Sequence, residues 1–151
     1  MTVRKFALIM ALALSHLPAE AAPPVERLGE AQRPGARWEV ISVGAESAPT
    51  GAKSPAATLF LDADGSIGGT WECNSGGSAY VRWTNDGEFT GTKGPIIFTA
   101  MGCGEKDKAD FAGKFWRLMG EAKRWERSGK MLIIHAADGS VAHLRLTSEV
   151  R

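Results

Sequence analysis

Short apolar segments rich in β-branched and aromatic residues recur along the chain: Trp38 to Val43, Thr58 to Leu61, Ile67 to Trp71 and Ala79 to Trp83. Gly44 to Ala56, composed largely of Gly, Ser, Pro and Ala, reads as a loop between the first two. The punctuation is equally regular. Ala63-Asp64-Gly65-Ser66, Asn85-Asp86-Gly87-Glu88, Arg127-Ser128-Gly129-Lys130 and Ala137-Asp138-Gly139-Ser140 each separate two strand-like runs. X-Gly pairs supply the positive φ angles of tight hairpins, so the pattern predicts a mainly β (α+β) fold, a meander of antiparallel strands.

One segment departs from that period. From Asp107, the residues Ala112, Phe115, Trp116 and Met119 fall at i, i+3, i+4 and i+7, which places them on one face of a helix. Asp107 is the expected N-cap and Gly120 the expected terminator. An aromatic stripe at this spacing is read as the face that docks onto the sheet, with Phe115, Trp116 and Met119 buried there.

The chain opens with a third pattern. Arg4 and Lys5 precede an apolar run, Phe6 to Leu17, broken only by Ser15 and His16, and the small-residue site Ala19-Glu20-Ala21 follows. These are the parts of a secretory signal peptide, residues 1–21, and Pro18 interrupts the run where an anchor helix would have to continue. Residues 22–36, rich in Pro, Ala, Glu and Arg, read as a flexible leader, and the folded domain is expected over residues 37–147.

Removing 21 of the 151 residues leaves enough chain for one domain with a core. Loss of Arg4, Lys5 and Glu20 takes two bases and one acid from the 18 and 17 of the full chain, so the mature protein is neutral. Neutrality offers no electrostatic basis for binding nucleic acid or an anionic membrane, and Lys123-Arg124 alternates with Glu121 and Glu126 as on a solvated strand face. The expected location is the periplasm or the medium, with no integral membrane anchor and a monomeric state.

Candidate chemistry is sparse. Cys73 and Cys103 are the only cysteines, and an even count in an exported chain favours a disulfide, the alternative being two buried thiols. Neither has a Cys or His at metal-ligand spacing, so no metal is expected. With Asp138-Gly139 as the central turn residues, His135 faces Ala142 and Ile134 faces His143. His135 then shares a face with Met131, Ile133, Leu144 and Leu146, while His143 projects with Arg145 from the other. No Gly-x-Ser-x-Gly occurs, and pairing of Cys73 removes the one nucleophile for which His135 might serve as base. The Gly-rich Asn74-Ser75-Gly76-Gly77-Ser78 lacks the lysine and the following helix of a phosphate loop and is read as a strand connection. We therefore expect no catalytic residues, no cofactor and no enzymatic activity.

Glu72-Cys73-Asn74-Ser75-Gly76-Gly77-Ser78-Ala79-Tyr80, followed by Thr99-Ala100-Met101-Gly102-Cys103, resembles the META domain, the family of HslJ-like bacterial envelope proteins. The likeness continues through Arg124-Trp125, Gly129-Lys130-Met131-Leu132 and Ala137-Asp138-Gly139. Glu72 stands where the family usually has Gly, and Gly102 where it usually has Ala. The resemblance implies a small antiparallel barrel-like sheet with one packed helix, no catalytic residues, and a loose association with envelope stress responses. Two functions follow as expectations: binding of an unidentified envelope protein or surface component, or inhibition of an enzyme such as lysozyme through a protruding loop. Asn74, Ser75, Gly76, Gly77 and Ser78 form the first candidate contact loop, expected to tolerate bulky residues at Ser75 and Gly76, and Thr84 to Glu88 the second. A small-ligand carrier is a third possibility, because barrels can hold a cavity.

Overall fold

The computed structural model describes residues 36–50, 54–61, 66–84, 87–90 and 97–148. The expected signal peptide, the leader up to residue 35 and the centres of the turns at 62–65 and 85–86 lie outside the described residues. The strands are β1 (Ala36–Val43), β2 (Glu46–Ser47), β3 (Ala57–Leu61), β4 (Ser66–Trp71), β5 (Asn74–Trp83), β6 (Phe89–Thr90), β7 (Ile97–Phe98), β8 (Ala122–Ser128), β9 (Met131–Ala136) and β10 (Val141–Ser148), with one helix, α1 (Lys106–Gly120), before β8. All pairings are antiparallel, in the order β6-β5-β4-β3-β1-β10-β9-β8, with β2 added to β1 and β7 to β5. The sheet curls into a half-barrel whose edges touch: Trp125 N–H donates to Gly87 O (2.8 Å) beside the bridge Glu88↔Arg124.

Alternation sets the interior. Along β1, β9 and β10, Trp38, Val40, Leu132, Ile134, Ala142 and Leu144 are buried, while Glu39, Ile133, His135, His143 and Arg145 face outward. Helix α1 covers the inner face with Phe111, Ala112, Phe115, Trp116, Leu118 and Met119. Its start differs from expectation: Glu105 is the N-cap and Asp107 lies in the first turn, where a carboxylate favours the positive end of the helix dipole. Gly120 is the last helical residue.

Helix and sheet are keyed together by two reciprocal tryptophan contacts. Trp116 lies over β4, donating its indole N–H to Thr70 O (2.8 Å), and fits because Gly69 carries no side chain; a Cβ there would stand 2.7 Å from Trp116 and collide with Thr58 O. In return Trp71 reaches from β4 to the helix, donating to Ala109 O (2.9 Å) over Gly113, where a Cβ would sit 3.0 Å from the ring. Phe98 of β7 contacts both indoles edge-on, with centroids 5.7 Å from Trp71 and 4.9 Å from Trp116.

Two sequence expectations change at the level of register. The β9–β10 hairpin pairs His135 with Val141 and Ile133 with His143, one residue away from the expected register. The cause is a three-residue loop, Ala137-Asp138-Gly139, closed by Ala136 N–H on Ser140 O (2.9 Å), with Gly139 at φ 85°. The slip puts His135 and His143 on the same outer face. In the segment Gly44 to Ala56, expected to be all loop, Gly44-Ala45 makes a tight turn and Glu46–Ser47 pairs with Ser42–Val43.

Candidate functional site

The turn between β4 and β5 builds a polar cluster of side-chain and backbone hydrogen bonds. Glu72 has φ 54°, the left-handed region that suits glycine, which accounts for glycine as the usual residue at this position in the family that the motif resembles. Glu72 compensates through its carboxylate, which accepts the backbone N–H of Glu105, the N-cap of α1, at 2.7 Å. Glu105 in turn pairs with Lys108 Nζ (2.7 Å), and Lys108 is only 3% exposed; the i, i+3 spacing could have suggested the pair but not the burial.

The chain then joins Cys73 to Cys103 in a disulfide with Cα atoms 5.6 Å apart. Beside it, the Asn74 amide behaves like a strand's peptide group. Oδ1 accepts Met101 N–H (2.6 Å) and the Thr99 hydroxyl (3.1 Å), while Nδ2 donates to Met101 O (3.2 Å) and to Cys103 Sγ (3.2 Å). Ser75 extends the pairing, its N–H meeting Thr99 Oγ1 (3.2 Å) and its carbonyl accepting Thr99 N–H (3.0 Å). The Cys-Asn and Thr-x-Met-x-Cys residues are therefore two halves of one clamp that fixes segment 97–103 against β5. Ile97 and Met101, 67% and 57% exposed, project from this clamped segment and are the large exposed apolar side chains among the described residues.

The expected contact loop is a correction. Asn74, Ser75, Gly76, Gly77 and Ser78 are not a loop but the first half of β5, paired on one side with β4 (Thr70↔Ser75, Gly69↔Gly76, Gly68↔Gly77) and on the other with β7 (Gly76↔Phe98, Gly77↔Ile97). A Cβ on Gly76 would collide with Ile97 O and stand 2.7 Å from Phe98 Cα, so a bulky residue there disrupts the sheet, whereas Ser75 is exposed. Of the second candidate, Thr84 to Glu88, residues 85–86 lie outside the described residues, and its ends bond each other, with Thr84 N–H on Glu88 O (2.8 Å) and Thr84 Oγ1 donating to the same carbonyl (2.9 Å).

His135 Nε2 lies 2.9 Å from Glu126 Oε1, which also meets Arg124 at 2.6 Å, and His143 Nδ1 pairs with Ser42 Oγ at 3.1 Å. Although the observed register puts both histidines on one face, each has its own partner. Cys73 is bonded to Cys103 and so offers no free thiol for His135 to act on. The interior that a carrier would use is filled by Trp38, Phe111, Phe115 and Leu59. An open cleft of about 460 Å³ lies instead on the outside, between Ala48, Pro49 and Pro55, with the Glu39–Arg145 ion pair (2.7 Å) on its floor.

A family model of the META domain matches residues 31–149, which span the whole described fold. The chain belongs to the META domain family. No curated protein and no solved structure matches it. For a META domain, the matched Cys-Asn and Thr-x-Met-x-Cys residues have a physical role here: they build the clamp. No helix among the described residues is long and apolar enough to cross a membrane.

Proposed function

We propose that this META domain is a non-catalytic binding module of the cell envelope, exported by residues 1–21, whose contact surface is the clamped segment 97–103. The observation that carries the reading is the presentation of Ile97 and Met101 to solvent by a segment fixed at three points, the disulfide, the Asn74 amide and the β5–β7 pairing. Isolated exposed apolar side chains are ordinary on mobile loops; held rigid, they reach a partner without an ordering cost. A flexible thioether beside a branched aliphatic side chain suits an apolar patch on an envelope protein. The disulfide supports export, because such bonds persist in oxidising compartments. The inhibitor reading has lost its first loop to β5.

The test is site-specific photo-crosslinking in cells. A photoreactive residue at the exposed Ala100, which leaves Ile97 and Met101 in place, should trap one defined envelope protein that the same residue at the exposed turn position Lys130 does not. Adding the pair of changes Ile97→Ser and Met101→Ser should abolish that adduct while far-ultraviolet circular dichroism and thermal midpoint stay as in the wild type. Identical adducts from positions 100 and 130, or an adduct indifferent to the double change, would remove segment 97–103 from the proposal.

A further inference from the structure

The disulfide is chemically lopsided. Cys73 is exposed and Cys103 half-buried, so the Cys73 side of the bond is the more open to an incoming reagent. The hydrogen-bond donors sit at the other sulfur: Cys103 Sγ receives the backbone N–H of Cys73 at 3.3 Å and the Asn74 side-chain amide at 3.2 Å, and among the described residues no donor is directed at Cys73 Sγ. The Met101 carbonyl oxygen lies farther from Cys103 Sγ, at 3.5 Å, and is itself engaged by the Asn74 amide N–H at 3.2 Å. The second of these donors is fixed in place, because the same amide is pinned to Met101 and Thr99 by three further bonds. Fixed N–H groups stabilise a thiolate more than a neutral sulfur, and the sulfur that better carries negative charge is the better leaving group in thiol–disulfide exchange. The neighbouring charges do not reverse the asymmetry: Glu72 precedes Cys73 and Glu105 follows Cys103 by two residues, with Lys106 and the buried Lys108 beyond.

From this geometry we infer that Cys73 is a site of thiol modification, at which an external thiolate opens the disulfide and expels Cys103 as the leaving thiolate. The incoming sulfur attacks Cys73 Sγ, a new S–S bond forms there, the Cys73–Cys103 bond breaks, and its electron pair passes to Cys103 Sγ beneath the two N–H donors. No other oxidant or reductant takes part. With a monothiol the product is a mixed disulfide on Cys73 and a free Cys103, which can reverse the step by attacking Cys73. With a dithiol reductant, its second thiolate attacks its own bridging sulfur and releases Cys73, leaving both cysteines reduced and the reductant oxidised. The inference is independent of which partner segment 97–103 meets, and it makes the clamp an element that thiol chemistry can open.

The chemistry is shared by small thiols and by protein dithiols, and two arms separate them. In the first, oxidised full-length mature protein is exposed briefly to glutathione, quenched in acid, alkylated and mapped by peptide mass spectrometry. We expect glutathione on Cys73 and the alkyl group on Cys103 in roughly tenfold excess over the reverse arrangement. In the second, a Cys-x-x-Cys reductant whose second cysteine has been replaced should be trapped as a mixed disulfide, again at Cys73. Equal labelling of the two cysteines, or a preference for Cys103, would overturn the inference in either arm; labelling in the first arm alone would assign the site to small thiols, in the second alone to proteins. The Asn74→Ala variant, where it folds, should bring the ratio towards one, and an unchanged ratio would remove Asn74 from the account. Where it does not fold, the wild-type map decides the matter by itself.

Discussion

Glu72 shows how one residue reconciles a strained backbone with a useful side chain. A non-glycine residue at φ 54° costs about 1 kcal/mol, and a carboxylate accepting the N-cap N–H of a helix returns a similar amount. Glu72→Gly should therefore be close to neutral, whereas Glu72→Ala keeps the strain and loses the bond. Urea unfolding should rank Glu72→Gly above Glu72→Ala by about 1 kcal/mol, and equal stabilities would dismiss the strain argument. Asp138 makes a second residue-scale case. The side chain and then the backbone N–H of Ser140 hold its carboxyl below the ordinary carboxylate range, the N–H lying 2.8 Å from Oδ1. A carboxyl with a depressed folded value contributes stability that is present above its unfolded pKa and fades as pH falls through the folded value. Carbon-detected NMR titration should find Asp138 among the last carboxyls to protonate on acidification, and Ser140→Ala should move it up.

At the scale of elements, close backbone approach decides more than propensity does. Gly69 admits Trp116, and Gly76 lets β7 approach β5, so neither can carry a side chain. Gly76→Val should cost more than about 2 kcal/mol through overpacking against the Ile97 carbonyl, while Ser75→Trp, on an exposed position of the same strand, should cost less than about 1 kcal/mol. Comparable losses from both would mean that the strand tolerates no change at all. Trp116→Ala removes a buried indole that bonds Thr70 O and stacks edge-on with Phe98 and Phe115, and should cost about 3 to 5 kcal/mol by chemical denaturation.

These positions also show what was legible in the sequence. The helix face was, because Ala112, Phe115, Trp116 and Met119 repeat at a period that only a helix buries, and all four are buried. Strands β1, β3 and β4 were, because their apolar content is bounded by turn residues. Asn74 to Gly77 was not, since a run of Asn, Ser and Gly has low strand propensity; it joins the sheet because the neighbouring backbones need the room that Gly76 and Gly77 leave. The histidine faces were misread for a single-residue reason: a two-residue and a three-residue turn around Asp138-Gly139 look alike in sequence, yet they differ by one in register and so exchange the faces of every side chain beyond. The clamp was half legible. The cysteines and the Thr-x-Met-x-Cys spacing could be seen, but the use of the Asn74 amide as a substitute peptide group exists only in three dimensions.

For the whole molecule, the disulfide closes the part of the sheet that local pairing secures least. Between Cys73 and Cys103, 30 residues apart, lie β5, β6 and β7, and the last two are strands of two residues each. The strands beyond, β8 to β10, form a continuous hairpin pair with β1 that does not depend on the cross-link. Restricting a loop of this length in the unfolded chain stabilises the native state by about 3 to 4 kcal/mol. Three of the four clamp bonds of Asn74 do not involve the sulfurs, so the reduced protein should keep its fold with a loosened clamp and a lowered midpoint. Cys73→Ser with Cys103→Ser should accordingly unfold in a single transition in urea, about 3 kcal/mol less stable than the oxidised wild type, and should match the wild type measured under a phosphine reductant. Native-state hydrogen exchange should show the loss unevenly, with the amides of Ser75, Thr99 and Met101 gaining rate first and those of β9 and β10 only with global unfolding. Uniform acceleration across both regions would place the cross-link in the global stability of the sheet instead of in the clamp.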